Sequence, residues 1–447
     1  MQLTEAASPE APKLERGRNE LRLGKRSYPI WTPAMVKAIE RYRQEGRRWY
    51  LLYDKLYALT NLKAAWQQVE ENDGAAGVSG QTIAQYRDGL EQRLNNLAQR
   101  LKEHSYTPRP IRRVYIPKGN GKQRPLGIPE VEDRIVQAAV VRLIEPIFEK
   151  KFLGVSWGFR PERSAHNALA ELVAALEAGY TQIVDADILD CFGSIPWTPL
   201  KEEVAREVGD REVLELVKTF LEAEVMEGLQ RWQPEGGTPQ GAVLSPLLAN
   251  IYLHRFDEEM TRAGYKLVRY ADDFVILCRT SQEAEQAREK ARQTLKDMGL
   301  QLHPEKTRLV DATKEGFQFL GYEFCPKGRW PRPSSKQKLR DAIRRKTPRK
   351  PGRSLRVVIA SLNFTLRGWY AYFRHCSWST FKDVDGFTRR RLRSILRGFQ
   401  KRKRSARLCD NFRYPNHIFE KLGLFSLDKK HLAEIGPNGL IAFPVKP

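Results

Sequence analysis

Tyr270-Ala271-Asp272-Asp273 is the stretch that decides the fold, because it places two adjacent carboxylates between two strand-like segments. The flanking residues within 266–278 are rich in β-branched, aromatic and aliphatic side chains. This pattern predicts two strands joined by a tight turn at Ala-Asp-Asp. Carboxylate oxygens suit Mg²⁺, so the acidic pair is a candidate divalent-metal site. An isolated Ala-Asp-Asp would more often be a solvated acidic turn.

A second acidic strand is predicted upstream, in residues 182–188. Asp185 and Asp187 lie two residues apart, so on a strand their side chains share a face. Spacing alone leaves both as candidate metal ligands. Between the two acidic strands, residues 237–250 combine a Pro-Gln-Gly turn with the start of an apolar helix.

Together these motifs resemble the reverse transcriptases encoded by mobile bacterial group II introns, and the resemblance runs from near Leu62 to the C-terminus. It implies two-metal nucleotidyl transfer, in which a primer 3′-hydroxyl attacks the α-phosphate of a dNTP. Within the family's pattern Asp187 is the metal ligand of the first motif. The implied catalytic residues are Asp187, Asp272 and Asp273, and the Ile188 carbonyl is a further metal ligand. The implied cofactor is Mg²⁺, with Mn²⁺ as an alternative.

The resemblance also implies contacts to the incoming nucleotide. Phe192 aligns with the family's aromatic residue that lies under the sugar and excludes a 2′-hydroxyl; without the resemblance it would be an ordinary core residue. Residues 112–129 predict a basic hairpin around Gly-Asn-Gly, which in the family closes over the triphosphate. A solvated basic hairpin is the alternative. The implied nucleotide-binding residues are Lys118, Arg124, Phe192, Gln240 and Lys306.

Four positions depart from the family's pattern. The family has Lys-Gly after the Asp-Ile pair and Asp after the Phe, whereas this chain has Leu189-Asp190 and Gly193. The second Gly of the usual Pro-Gln-Gly-Gly is Ala242. None of these changes removes a metal ligand. Asp190 adds negative charge near the site, which predicts an altered metal affinity or nucleotide preference.

The charge of the chain indicates a polyanionic partner. The 447 residues carry a net formal charge of +23, and residues 326–404 alone contain 25 Lys and Arg against 3 Asp and Glu. Such asymmetry is typical of nucleic-acid binding. The segment is also rich in aromatic residues, which disordered tails lack, so it is predicted to fold.

This basic segment resembles the family's thumb, or maturase domain, whose helices direct cationic side chains at RNA. Residues 317–322, just before it, resemble the segment that supports the primer end. In the family block around residues 156–166, two arginines are expected to grip the template. The implied nucleic-acid-binding residues are Arg160, Arg163, Gly321, Arg367, Arg389, Arg390 and Arg391.

We predict an α+β right-hand polymerase, with fingers and palm around an antiparallel sheet, followed by an α-helical thumb. The predicted domains are an N-terminal extension at 1–60 with residues 1–30 mobile, fingers and palm at 61–328, a basic helical thumb or maturase domain at 329–404, and a tail at 405–447. The tail has one Cys and two His. It is therefore expected to lack the endonuclease module that many relatives carry, which predicts membership of the endonuclease-lacking branch.

The five cysteines are scattered without a Cys-x-x-Cys pair, which argues for a reducing compartment and against a zinc site. No apolar run is long enough for a secretory signal or a membrane span. We therefore expect a cytoplasmic, nucleoid-associated bacterial protein with no membrane partner.

The expected function is RNA-templated DNA synthesis, combined with maturation of the chain's own group II intron RNA. The expected partners are an RNA template, structured intron RNA, a DNA primer or target, and dNTPs. A free-standing relative serving CRISPR spacer acquisition or repair synthesis is the alternative, and sequence leaves both open, together with the oligomeric state. A third hypothesis is a non-catalytic RNA-binding splicing factor with a relic palm. Three converging carboxylates argue against the relic.

Overall fold

A computed structural model describes residues 21–117, 123–399, 407–435 and 441–443. The strands are β1 (Leu21–Leu23), β2 (Arg26–Tyr28), β3 (Ile111–Pro117), β4 (Gln123–Ile128), β5 (Gln182–Asp187), β6 (Val225–Glu227), β7 (Gln230–Trp232), β8 (Lys266–Tyr270), β9 (Asp273–Cys278), β10 (Arg308–Asp311), β11 (Phe317–Phe319), β12 (Tyr322–Cys325) and β13 (Gly328–Pro331). The helices are α1 (Pro33–Glu45), α2 (Tyr53–Leu56), α3 (Leu59–Glu71), α4 (Ile83–Arg87), α5 (Leu90–Lys102), α6 (Val131–Glu149), α7 (Ala165–Glu177), α8 (Cys191–Ser194), α9 (Trp197–Ala205), α10 (Arg211–Leu221), α11 (Ser245–Arg262), α12 (Ser281–Asp297), α13 (Pro333–Lys346), α14 (Leu355–Phe373), α15 (Ser379–Phe399), α16 (Arg407–Arg413), α17 (Asn416–Lys421) and α18 (Leu427–Glu434).

The chain divides into two compact units. The first takes in the described residues up to Ala168, together with Ala186–Cys278 and Gln282–Arg308. The second takes in Leu169–Asp185, Arg279–Ser281 and the described residues from Leu309 onward. The first unit mixes helices with antiparallel strand pairs, and the second ends in the helices α13 to α18. The predicted fold class, α+β followed by a helical region, is confirmed.

The hairpin predicted at residues 266–278 is present in the first unit. Strands β8 and β9 pair antiparallel with Tyr270 opposite Asp273, so the turn consists of Ala271 and Asp272 alone. Asp273 begins the second strand, one residue earlier than the sequence predicts. Ala271 has a φ of 60°, a left-handed conformation that Gly usually supplies at the first position of such turns.

Helix α6 forms the centre of the first unit's core, because it is buried on nearly every side. It also supports the Pro-Gln-Gly segment. The Gln137 side-chain oxygen accepts hydrogen bonds from the Val243 N–H (2.9 Å) and the Leu244 N–H (3.4 Å). A buried amide thereby fixes the loop that leads into α11.

The expectation that residues 1–30 are mobile is corrected for residues 21–30. Strands β1 and β2 form an antiparallel hairpin there. The buried Tyr28 hydroxyl and the Arg26 guanidinium both bind the Glu145 carboxylate on α6. The buried Trp31 indole N–H donates to the Arg142 carbonyl (3.1 Å). These partners lie more than 100 residues away in the sequence, so local patterns do not reveal them.

The predicted basic hairpin corresponds to β3 and β4, which pair antiparallel with Ile116 opposite Arg124. Strand β6 runs parallel to β3, and β7 completes this sheet. Lys118, predicted to contact phosphate, lies outside the described residues.

The second unit contains a three-stranded antiparallel meander, β11-β12-β13, ahead of its helices. The buried Tyr322 on β12 packs against Phe373 of α14, with ring centroids 5.2 Å apart. Buried Leu362 and Leu366 of α14 and Leu392 of α15 belong to the helical core. Within the described residues, no helix is long and apolar enough to cross a membrane.

Candidate active site

The two predicted acidic motifs meet in the first unit. The Ile188 N–H, next to Asp187, donates to the Asp272 carbonyl (3.3 Å), so the end of β5 lies directly against the β8–β9 turn. Burial raises the pKa of the Asp272 carboxyl, and the nearby Asp187 carboxylate raises it further. The like charges of the two carboxylates therefore repel each other. Asp187 is half-buried and Asp185 is buried, which favours Asp187 as the accessible ligand.

Lys306 supplies a cation to this acidic pair. Its ammonium forms an ion pair with the Asp187 carboxylate. The segment that carries Lys306 is fixed by the His303 N–H, which donates to the Asp187 carbonyl (2.8 Å). The ammonium lies on Oδ2 of Asp187, so an ion that binds this oxygen would compete with Lys306. The nucleotide contact expected of Lys306 stays a prediction, and in the structure its partner is Asp187.

The donor set fits a hard divalent ion. Among the residues described, no group of three or more His, Cys, Asp or Glu lies close enough together to hold a metal ion. The structure instead brings the segments of Asp187 and Asp272 together, and Asp273 lies opposite Tyr270 in the strand register. Mg²⁺ is commonly held by one or two carboxylates, with water and substrate phosphates completing its shell. The carboxylates of Asp187 and Asp272 match this way of binding Mg²⁺.

The two departures at Asp190 and Gly193 are coupled. A Cβ built on Gly193 would overlap the Asp190 carboxylate, so a larger residue at 193 requires this exposed side chain to move. The same carboxylate accepts a hydrogen bond from Gln240 Nε2 (3.3 Å), and Gln240 Oε1 accepts one from Arg124 Nε (2.8 Å). Arg124 and Gln240, two of the predicted nucleotide-binding residues, thus form one chain of contacts that ends on Asp190. A cavity of about 230 Å³ opens beside them.

Phe192 lies within this same region. Its carbonyl accepts a hydrogen bond from the Thr238 N–H (2.6 Å), which ties it to the Pro-Gln-Gly segment. Its buried ring packs edge-on against Phe159, with centroids 6.5 Å apart. Phe159 is exposed and has a φ of 60°. The two aromatic rings form an apolar wall near the acidic pair.

The expectation that Arg160 grips the template is corrected. Its side chain is buried and forms a bidentate ion pair with Glu149, with N–O distances of 2.7 to 3.1 Å. It also donates to the Leu153 and Ser156 carbonyls. Arg160 therefore closes a loop of the core and is not presented to a phosphate.

Arg163 is partly engaged in the same loop. Its guanidinium donates to the Gly154 carbonyl (2.9 Å) and lies over the Trp157 ring, 4.6 Å from its centroid. Burial lowers the pKa of Arg163 to about 10. A contact with template requires it to exchange these partners, and stays a prediction.

The predicted basic residues of the second unit fall into two groups. Arg367 on α14 and Arg390 on α15 are exposed. Arg389 pairs with the buried Asp385 (3.6 Å), and Arg391 donates to the side chain and carbonyl of Thr347. The expectation that the 389–391 cluster forms one RNA-facing surface is therefore corrected to Arg390, because its neighbours bind the protein's own helices.

Gly321 lies in a turn of the second unit. It has a φ of 81°, and its carbonyl accepts from the Arg332 N–H (2.9 Å). Its backbone conformation explains the glycine, and the predicted contact with the primer stays a prediction.

A buried charge that the sequence analysis does not predict lies beside the β8–β9 turn. Arg269 on β8 and Asp257 on α11 form an ion pair in which both side chains are fully buried. The available signal was an arginine at the centre of an otherwise apolar strand, since charged residues are rarely buried without a partner.

Comparison with known protein families gives two matches. Residues 116–324 match the family model described as "Reverse transcriptase (RNA-dependent DNA polymerase)". Residues 336–411 match the one described as "Group II intron, maturase-specific domain".

Individual proteins give similar results. Protein YkfC of Escherichia coli (strain K12) is 35% identical over 294 residues, which are 57% of this chain and 76% of that protein. Group II intron-encoded protein LtrA of Lactococcus lactis subsp. cremoris is 38% identical over 224 residues, 49% of this chain, and the match spans 36% of that longer protein. A solved structure described as "Partial Cas6-RT-Cas1--Cas2 complex" matches 55% of this chain and 41% of that chain at 25% identity. The TM-score of this match is 0.35.

The coupling of Asp190 to Gly193 predicts a specific double-mutant result. Gly193→Ala should push the Asp190 carboxylate away and break its contact with Gln240, which raises the KM for dNTP in primer extension. Asp190→Gly removes the same contact with Gln240, so the double variant should have about the same KM as either single variant. Strict additivity of the two changes in a double-mutant cycle would show that the residues act independently.

Proposed function

We propose that the two units of this chain perform different tasks. The chain belongs to the group II intron-encoded reverse transcriptase and maturase family and is therefore an RNA-directed DNA polymerase. In this proposal the first unit performs Mg²⁺-dependent nucleotidyl transfer, and the basic helices of the second unit bind structured intron RNA. The supporting observation is the meeting of Asp187 and Asp272 across the Ile188–Asp272 backbone hydrogen bond. We propose 61–328 as fingers and palm, 329–404 as thumb or maturase domain, and 1–60 and 405–447 as flanking segments.

The acidic pair would hold the metal ions. When bound, two divalent ions activate the attacking 3′-hydroxyl and neutralise the leaving pyrophosphate. Asp187 and Asp272 would bind them, with the Ile188 carbonyl and Asp273 in support. Lys306 neutralises Asp187 in the resting site and would turn to the triphosphate as the carboxylate takes up metal.

The remaining residues orient the nucleotide. Arg124 offers a planar guanidinium that suits phosphate oxygens, and Gln240 holds it toward the site. Binding of a triphosphate would exchange the Asp190–Gln240–Arg124 contacts for contacts to the substrate. Phe192 would stand against the sugar and exclude a 2′-hydroxyl.

The catalytic proposal predicts that Asp272→Asn lowers the rate of DNA primer extension on an RNA template by on the order of 1,000-fold, because a metal ligand is lost. The thermal midpoint and RNA affinity should stay near wild type, since the change preserves the shape of the side chain. Asp54→Asn is a matched control, because Asp54 is exposed and its partner is the adjacent Lys55. Near-wild-type extension by purified Asp272→Asn would refute the assignment.

The RNA-binding proposal rests on the exposed arginines of α14 and α15. Helix α14 contains Arg356 and Arg367 and has no acidic residue in its 19 positions. Both arginines are exposed, as is Arg390 on α15. A polyanion is the partner that such a surface fits.

Replacing Arg356, Arg367 and Arg390 by Gln should therefore weaken binding of structured intron RNA. Each lost phosphate contact removes about 0.7 to 0.9 from the slope of log affinity against log salt, so the slope should flatten by up to roughly 2 to 3 units. Primer extension on a short duplex at low salt should persist, because the acidic pair is unchanged. The measurement is RNA affinity from low to high salt.

A charge-matched control separates specific contacts from net charge. Arg262, Arg288 and Arg292 are exposed arginines of the first unit, each paired with a Glu one turn away. Replacing these three by Gln changes the net charge equally and should leave the salt slope unaltered. Equal losses in the two triple variants would contradict a defined RNA surface on α14 and α15.

A further inference from the structure

The turn that carries Asp272 is bonded to a buried arginine. Arg269 is fully buried, and its guanidinium has five N–H donors. Two of them bind the Asp257 carboxylate (2.6 and 2.5 Å) and one binds Ser156 Oγ (2.9 Å). The remaining nitrogen, Nη1, donates to Asn250 Oδ1 (3.2 Å) and to the Ala271 carbonyl (2.9 Å). Every donor of this cation has a partner.

The bond to the Ala271 carbonyl bears directly on catalysis. That carbonyl belongs to the peptide group joining Ala271 to Asp272, so its orientation sets where the Asp272 side chain begins. Ala271 is held at a φ of 60°, which is strained for a residue other than Gly. Strained backbone persists only where its surroundings fix it. The side-chain donor Nη1 of Arg269 forms a hydrogen bond to the carbonyl of this peptide group.

A second set of contacts fixes Nη1 itself. Asn250 accepts from Nη1, and its own amide N–H donates to the Gly158 carbonyl (2.8 Å). Gly158 in turn packs against the turn, because a Cβ built on it would lie 2.5 Å from the Ala271 nitrogen. The contacts form a closed ring from Arg269 through Asn250 and Gly158 to Ala271. Both peptide groups that flank the Ala271 Cα are therefore restrained.

Stability alone is a weak explanation for this arrangement. A buried ion pair must offset the cost of removing two charges from water, and often gives no net stabilisation over apolar residues of similar size. Asp257 lies seven residues after Asn250 on α11, so the same helix face supplies both groups. One buried cation thereby ties the helix that follows the Pro-Gln-Gly segment to the turn that carries a catalytic carboxylate.

We propose that Arg269 is a positioning residue for nucleotidyl transfer, which acts by holding the Ala271–Asp272 peptide so that Asp272 faces Asp187 at metal-binding distance. The proposal rests on the function proposed above for Asp272. Arg269 does not touch substrate. It acts through the backbone, and Asn250 determines the direction in which its Nη1 points.

The direct variant, Arg269→Lys, keeps the charge but cannot bind Asp257 and the Ala271 carbonyl together, and it risks unfolding. Asn250→Ala is therefore the decisive variant, because it removes the second acceptor of Nη1 and the link to Gly158. Ser156→Ala is its matched control, since it removes one polar partner from the same guanidinium but leaves both contacts of Nη1. The two variants should lose similar thermal stability.

For Asn250→Ala we expect the maximal rate of single-nucleotide incorporation to fall by about tenfold or more, because a displacement of ~1 Å at a reacting group costs on the order of 100-fold. The KM for dNTP should change little. The affinity for Mn²⁺, measured by electron paramagnetic resonance without substrate, should weaken. Ser156→Ala should keep its rate within about threefold and its Mn²⁺ affinity unchanged.

The proposal is overturned if both variants lose rate in proportion to their loss of stability, or if Asn250→Ala keeps wild-type rate and Mn²⁺ affinity. Asp272→Asn, assayed in parallel, separates this failure from failure of the proposed function. An inactive Asp272→Asn beside a fully active Asn250→Ala would remove only the positioning role of Arg269. An active Asp272→Asn would contradict both the positioning role of Arg269 and the proposed catalytic role of Asp272.

Discussion

The central constraint on this protein is the repulsion between two carboxylates, Asp187 and Asp272, that the fold holds together. Each comes from a different part of the sequence, and one backbone hydrogen bond from Ile188 to Asp272 brings the two segments together. Burial disfavours the charged form of Asp272 and raises the pKa of its carboxyl. Such a pair is tolerated because cations offset it, and the Lys306 ammonium at Asp187 is the nearest one.

The same principle of compensated charge recurs around the site. Asp257 is paired with Arg269, and Asp190 reaches Arg124 through Gln240. The first of these pairs is fully buried, whereas the contacts of the second are exposed, where a substrate phosphate would compete for Arg124. A fixed pair suits the support of a turn, and an exchangeable one suits the binding of a nucleotide. The net positive charge of the chain is concentrated elsewhere, in residues 326–404.

Sequence predicted the parts of this architecture that have local signals. The β-branched, aromatic and aliphatic residues around Asp272 predicted the β8–β9 hairpin to within one residue, because strand and turn propensities act over a few positions. The sequence did not reveal which arginines are structural. Arg160, Arg389 and Arg391 lie in basic segments that would equally suit RNA-binding arginines. Only the fold shows that their guanidinium groups instead bind Glu149, Asp385 and Thr347, respectively. The β1–β2 hairpin was missed for a similar reason, since its anchor, Glu145, lies 117 residues from Tyr28.

The most direct test of this account is to locate the metal. Crystals of the protein with an RNA–DNA duplex should be grown in Mn²⁺, and the anomalous scattering measured for the wild type and for Asp272→Asn. We expect an anomalous peak between the Asp187 and Asp272 carboxylates in the wild type, with Lys306 turned away from Asp187. The peak should be lost in the variant. Mn²⁺ bound elsewhere in a complex that still extends its primer, with the Lys306–Asp187 ion pair intact, would contradict it.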